Sequence, residues 1–281
     1  MPKQYTAENL QVLDGLDAVR MRPGMYIGST GQRGLHHLLW EIVDNAIDEV
    51  ANDFATEVIV TLHRDGSCSV WDNGRGVPVD KHPKLGISGV ELIYTKLHAG
   101  GKFDHKNYGY SGGLHGVGAS VVNALSKWMT VDSYRDWEHW QMRFECVWDA
   151  KEKKHLPGHP VGGLQKVGNT RKHGTLVRFL PDDTVFEETQ WNGETIARRL
   201  RELAYLNRGA AITFQDERAQ PPQNEPRTSQ YDGGIADYVS YLNRDKTPLH
   251  PAPMVFEAQR DGIIMQLAMQ YTDAYTESTF S

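Results

Sequence analysis

The chain has 281 residues, of which 39% are hydrophobic and 23% charged, with a formal net charge of -6. That length holds one large domain or two ordinary ones. No run of 18 apolar residues occurs, which excludes a membrane-spanning helix by sequence, and the acidic balance gives no electrostatic argument for gripping DNA through this chain alone. Met1-Pro2-Lys3-Gln4-Tyr5 lacks the apolar core of a secretion signal, so a cytoplasmic protein is expected. Cys68 and Cys146 fall in predicted strands and read as small hydrophobes in a reducing compartment, not as a bridge or a metal site.

Taken in chain order, residues 1–30 read as extended or irregular, with a turn at Arg22-Pro23-Gly24-Met25. A helix is predicted from about Gly34 to Asn52. A hairpin follows, Glu57–Arg64 and Ser67–Trp71, joined by Asp65-Gly66. Residues 73–86 form a loop, and Gly89–His98 a helix. The glycine-rich stretch 99–118 reads as a long loop, which in a compact domain is usually functional and often a lid. A helix runs from Val117 to Leu125, then strands at Trp128–Arg135, His139–Val147 and Thr175–Leu180, with 151–173 expected as an exposed hairpin or loop. A helix at Thr195–Leu206 buries Ile196, Leu200, Leu203 and Leu206. Its Arg198, Arg199 and Arg201 read as a solvated face. A strand at Ala211–Gln215 comes next. Residues 216–230 are polar and proline-rich, the best candidate for a boundary or exposed insertion. A helix at Ile235–Asn243 and strands at Met254–Ala258 and Ile263–Tyr271 complete the chain, which is expected to be a fragment of a longer protein.

Three separated segments carry chemistry. On the first long helix, His37, Glu41, Asn45 and Asp48 fall within roughly 80° of one another at 100° per residue. Leu35, Leu39, Ile42, Val43, Ala46 and Val50 lie on the opposite side. The polar stripe reads either as a wet helix face or as a working one. In the working reading Glu41 takes a proton from an attacking water, Asn45 offers an amide oxygen to Mg²⁺, and His37 tunes or orients Glu41. Second, Asp72 ends a strand before Asn73-Gly74-Arg75-Gly76. A carboxylate there is either part of an ordinary turn or an acceptor for the exocyclic amine of a base that the glycines let come close. Arg75 could stack on the base edge or pair with Glu49 or Asp48, and Pro78 would stiffen the loop. Third, Gly113-x-x-Gly116-x-Gly118 opens a helix. Its free amides suit phosphate, although a flexible loop has the same composition. The spacing fits neither a P-loop nor a dinucleotide fingerprint. Lys102 and Tyr108 of the lid-like loop could reach the ligand, and Thr175 could hold a water or the base beside Asp72.

Together these residues resemble the ATPase fold shared by type II topoisomerases, histidine kinases, MutL and the ninety-kilodalton heat-shock chaperones. Leu13–Gly28, Leu97–Phe103 and Ser111–Ser126 closely resemble the B subunits of bacterial type IIA topoisomerases, the gyrase branch ahead of the topoisomerase IV branch. The resemblance covers essentially the whole chain. It implies an α/β, two-layer sandwich with a mixed sheet under helices. Residues 1–215 would be the ATPase domain with a dimerisation arm at 1–30, 216–230 a linker or insertion, and 231–281 the start of a transducer domain. It implies Glu41 as general base assisted by His37, Asn45 as the Mg²⁺ ligand, and Asp72 on adenine with Gly76 and Thr175 nearby. Lys102, Tyr108 and the turn Leu114, His115, Gly116, Val117 and Gly118 would contact ribose or phosphates. Tyr5 would reach the ATP of a partner copy, so that nucleotide closes a dimer gate. Arg75 and Arg135 match positions lining an aminocoumarin inhibitor pocket. DNA and the topoisomerase A subunit would be partners of the whole enzyme. The family's transducer lysine lies beyond this chain, so ATP binding with weak turnover is a second expectation. A sensor-kinase catalytic domain is disfavoured by the N-terminal arm.

Overall fold

The fold is built outward from a hairpin whose sequence alternates. Val58, Val60 and Leu62 of β1 (Glu57–Leu62) point to one side and are fully buried. Cys68 and Val70 of β2 (Cys68–Asp72) join them through an antiparallel register that sets Val60 opposite Val70. The computed structural model describes residues 15–99, 116–260 and 263–280. Six further strands extend the hairpin: β3 (Ser126–Arg135), β4 (Glu138–Asp149), β5 (Lys154–Asn169), β6 (Gly174–Pro181), β7 (Ala211–Asp216) and β8 (Arg227–Ser229). They form one mixed sheet in the order β5-β4-β3-β6-β2-β1-β7-β8. β7 runs parallel to β1, and the other named neighbours are antiparallel.

Helices cover one face. α3 (Gln32–Ala51) packs on β1, β2 and β6, and α5 (Gly118–Ala124) packs on β3 and β5. α6 (Gly193–Leu206) lies on β7 with Ile196, Leu200 and Leu203 buried, as its periodicity predicts, whereas Leu206 is exposed. Its N-terminus is capped by Asn192, whose side-chain oxygen accepts the Thr195 amide at 3.0 Å. The apolar stripe of α3 (Leu35, Leu39, Ile42, Val43 and Ala46) is buried together with Leu38, each large side chain contributing about 1.5–3 kcal/mol of burial. This is the two-layer α/β sandwich that the resemblance implies.

Three expectations are corrected. Residues from 15 onward in the N-terminal stretch are helical, as α1 (Gly15–Met21) and α2 (Gly24–Ile27), because Leu16, Val19 and Ile27 reach the core. Residues 154–169 are a 16-residue strand, β5, rather than a loop. As the edge of the sheet it accommodates Pro157, Pro160 and several glycines. Asp48 is not on a wet face: it is 3% exposed. Within 216–230, Arg227–Ser229 form β8, whose Thr228 lies opposite Thr213 of β7.

Beyond residue 230, α7 (Ile235–Leu242) lies against α6. The antiparallel hairpin of β9 (Met254–Arg260) and β10 (Ile263–Met269) forms its own two-stranded sheet. Tyr205 of α6 stacks on Tyr231 at 3.7 Å and on Tyr238 of α7 at 5.1 Å between centroids, which joins the two parts. No helix among the described residues is long and apolar enough to cross a membrane. Cys68 and Cys146 are free thiols.

Candidate functional site

α3 presents its polar stripe beside the end of the central hairpin. Gly31 leads into the helix, and the Ser29 hydroxyl accepts the Gly34 amide at 3.2 Å. One turn separates His37 from Glu41, and His37 Nε2 lies 3.1 Å from Glu41 Oε1. That contact holds the His37 imidazole above its usual pKa, chiefly through the hydrogen bond, against a smaller opposing effect of burial. Asn45, one turn further on, is half-buried.

The other oxygen of Glu41 faces α5. A methyl group added at Gly118 would lie 1.9 Å from Glu41 Oε2 and 2.9 Å from its Cδ. The first turn of α5 therefore touches the carboxylate, an approach that only glycine permits. α5 is held by Asn123, whose side-chain nitrogen donates to the carbonyls of Tyr94 and Gly158 at 2.9 and 3.4 Å. Gly116 adopts a positive φ of 60° just before this turn, and Val117 is half-buried.

Asp72 ends β2 and is 6% exposed. Its neighbours across the sheet are Val58 of β1 and Thr175 of β6. Its Oδ1 accepts the Gly74 amide at 2.8 Å. Burial pushes the carboxyl up to about 7, and nearby Glu49 adds to the rise; hydrogen bonds from the Gly74 and Thr175 amides oppose it. Asn73 turns the other way, its Oδ1 accepting the amides of Thr56 and Glu57 at 2.8 and 2.9 Å. Arg75 pairs with Glu49, at 2.7 Å from Nη2 to Oε1, and lies 3.6 Å from the centre of the Phe54 ring. Pairing with Glu49 was one of the roles open to Arg75.

Two glycines in left-handed or extended-positive backbone let three loops meet at Asp72. Gly76 (φ 75°) sits so that a methyl would fall 2.9 Å from the Tyr134 carbonyl and 3.1 Å from that of Gly174. Gly174 (φ 124°) approaches the Asp72 carbonyl so closely that a methyl would fall 1.8 Å away. Thr175 is thereby beside Asp72, and Arg135, next to Tyr134, is at the same end of the sheet, paired with Asp136 at 3.0 Å. Ser133 Oγ donates to the Val77 carbonyl at 2.7 Å, and the Pro78 carbonyl rests against Gly89 at the start of α4 (Gly89–Thr95).

α3 thus takes part in two clusters: Glu41, paired with His37, lies against Gly118, and Glu49 holds Gly74 and Arg75 of the loop after Asp72, with Thr175 beside Asp72 and Gly76 against Tyr134 and Gly174. Tyr5, Lys102, Tyr108, Leu114 and His115 lie outside the described residues. Sequence reasoning named Glu49 only as one candidate partner of Arg75 and left Ser133 and His173 without a role. His173 Nδ1 lies 3.1 Å from the Gly74 carbonyl. The signal available for Glu49 was its place one residue after Asp48, where a second carboxylate turns from the stripe toward the Asp-Asn-Gly loop. Among the described residues no cluster of three His, Cys, Asp or Glu side chains could hold a metal. A lone side-chain amide such as that of Asn45 fits an ion that keeps waters and phosphate oxygens as its other partners.

Residues 30–184 match the family model described as histidine kinase-, DNA gyrase B- and HSP90-like ATPase. The DNA gyrase B subunit of Thermotoga maritima is 47% identical over 99% of this chain and 43% of its own length. The DNA topoisomerase 4 B subunit of Enterococcus faecalis is 50% identical over 99% of this chain and 39% of its own length. The chain thus spans less than half of these curated relatives. The 43K ATPase domain of Thermus thermophilus gyrase B, solved with an aminocoumarin, matches with a TM-score of 0.79 and 36% identity, covering 93% of this chain and 63% of that one.

Proposed function

Because the chain belongs to the histidine kinase-, DNA gyrase B- and HSP90-like ATPase family, we propose that it is the ATP-binding and ATP-hydrolysing part of the B subunit of a cytoplasmic type IIA DNA topoisomerase, of the gyrase branch. The observation that carries the chemistry is the contact of Glu41 Oε2 with Gly118, which sets a carboxylate against the glycine turn suited to phosphates. Glu41 accepts the proton of the attacking water, and general-base help of this kind is worth about 10²–10⁴-fold. His37, fixed to the other Glu41 oxygen, orients the carboxylate. Asp72 accepts the exocyclic amine of adenine, with Gly76 and Thr175 closing the base pocket. Asp48 supports the α3 stripe from within the protein.

Asn45 would hold Mg²⁺, and the ion supplies charge neutralisation at the phosphates. Lys102, Tyr108 and the turn from Leu114 to Gly118 bind ribose and phosphates in this reading. Tyr5 of the arm at 1–30 reaches the nucleotide of a second copy, so ATP binding closes a dimer gate for DNA passage together with the A subunit. Arg135 and Arg75 mark the rim at which aminocoumarins would bind. Residues 1–215 are the ATPase domain and 231–281 the start of the transducer. The 50% identity to a topoisomerase 4 relative supports the second branch as the alternative. Supercoiling of relaxed DNA against decatenation, measured with each A subunit, separates the two.

The direct test is calorimetric titration of Mg²⁺ and a non-hydrolysable ATP analogue into the folded chain. Saturable binding is expected, weakened about 10–100-fold in Asp72→Asn through loss of a charged acceptor. A folded wild type that takes up no adenine nucleotide overturns the reading.

A further inference from the structure

We propose that Glu49 is a positioning residue for base recognition: from α3 it fixes the Asp72–Gly76 loop so that the Asp72 carboxyl meets the base. This rests on the adenine role proposed for Asp72. Two consecutive amides of the loop are each held by a carboxylate. The Gly74 amide donates to Asp72 Oδ1 at 2.8 Å, and the Arg75 amide donates to Glu49 Oε2 at 3.0 Å. Glu49 also accepts from the Arg75 guanidinium, Nε to Oε2 at 3.1 Å and Nη2 to Oε1 at 2.7 Å. Phe54 backs the same guanidinium at 3.6 Å. The loop passes between the two acids: a methyl at Gly74 would fall 2.8 Å from both Asp72 Oδ1 and Glu49 Oε2.

The side chain of Glu49 is 11% exposed and that of Arg75 38%. The clamp therefore has one anchored end on a long helix and one end on the loop, which is the arrangement needed to set loop position from the scaffold. It also places a second negative charge beside Asp72. The other groups facing Asp72 are the Gly74 amide of its own loop, the Thr175 amide of β6, His173 before β6 and Tyr94 of α4. Burial is the main cause of the raised Asp72 carboxyl and the Glu49 charge adds to it, so removing that charge makes Asp72 ionise more readily, and removing its Arg75 counter-charge has the opposite effect.

The test measures affinity for the non-hydrolysable ATP analogue between pH 5.5 and 8.5 in wild type, Glu49→Gln and Arg75→Gln. Inorganic tripolyphosphate serves as a probe of the phosphate end. Wild-type affinity is expected to rise as Asp72 ionises with increasing pH. Glu49→Gln should lower analogue affinity about 10-fold at pH 8, leave tripolyphosphate binding unchanged, and move the pH midpoint down by about one unit. Arg75→Gln should move the midpoint up, because Glu49 is then less neutralised. Should Glu49→Gln not fold, the direction of the Arg75→Gln shift decides alone. Midpoints that stay put, or move the same way in both variants, overturn the proposal, as does an equal loss for analogue and tripolyphosphate. A wild type that binds no analogue would instead remove the underlying adenine reading.

Discussion

Two carboxylates of the site live in opposite surroundings. Glu41 is 30% exposed and paired with His37, whereas Asp72 is 6% exposed and accepts backbone amides. The proposed water-activating role needs solvent contact, which the Glu41 carboxyl has. Replacing Glu41 with Ala, in a chain of the same length as its relatives, should reduce steady-state ATP turnover about 10²–10⁴-fold and leave analogue binding within about threefold. Surviving turnover would show that the base lies elsewhere. Asp72 gives a stability prediction. Its folded-state pKa is raised to about 7 from an ordinary 3.8. The folded chain therefore holds a proton that the unfolded chain has already released. Its contribution is fully present below about pH 3.8 and is lost as pH rises to about 7. Without nucleotide, Asp72→Asn should be more stable than wild type at pH 8 by about 1–4 kcal/mol, with the gain shrinking toward pH 4. Denaturant unfolding at both pH values checks this, and a gain that grows on acidification would contradict it.

At the scale of elements, those with a clear local pattern were legible, and α1, α2 and the edge strand β5 were not. α3 has apolar residues at helical spacing over five turns, and β1–β2 has alternation and an Asp-Gly turn, so local pattern and tertiary burial agree there. α1 and α2 are 7 and 4 residues long and interrupted by Arg22-Pro23. Helices so short depend on packing, which no local signal reports. β5 carries glycines and prolines that argue against a strand, but an edge position needs only one partner. Contact between α3 and α5 yields the element-scale prediction. Gly118→Ala would drive a methyl into Glu41, whose flexible end can swing away. Turnover should fall at least about 10-fold while the melting temperature moves by only about 4 °C or less. Unchanged turnover would mean that the Glu41 position against α5 does not matter to catalysis.

At the scale of the molecule, the sheet and its helices share one core, while the segment after residue 230 is attached by aromatic rings. Tyr205 is 4% exposed and meets Tyr231, Tyr238 and Tyr241 at 3.7, 5.1 and 5.6 Å. Arg201 donates to the Tyr241 hydroxyl at 3.2 Å, and the Arg244 guanidinium lies 4.2 Å from the Tyr241 ring centre. α7 has no buried residue of its own. Truncating a buried aromatic to alanine costs about 3–5 kcal/mol, most of which should here be felt locally. In Tyr205→Ala, hydrogen exchange should accelerate across 231–243 and the α6 face beneath it, with α3 and β2 protected as before. Acceleration spread evenly over the whole chain would show that the cluster belongs to the main core instead.

Spacing within one element or one turn was enough to define the helix stripe, the strand-ending Asp72 and the glycine turn. The family was legible too, since the N-terminal and glycine-loop text is specific. What no stretch of sequence could report is that Gly118 touches Glu41, that Gly174 touches Asp72, and which of the carboxylates offered to Arg75 clamps it: Glu49, 26 positions away. Those contacts join segments far apart in the chain. Their geometry follows from how helices pack on the sheet, and neither periodicity nor composition encodes it locally. Burial of Asp48 belongs to the same class: helical angle assigns a residue to a stripe, and the surrounding fold decides whether that stripe meets water.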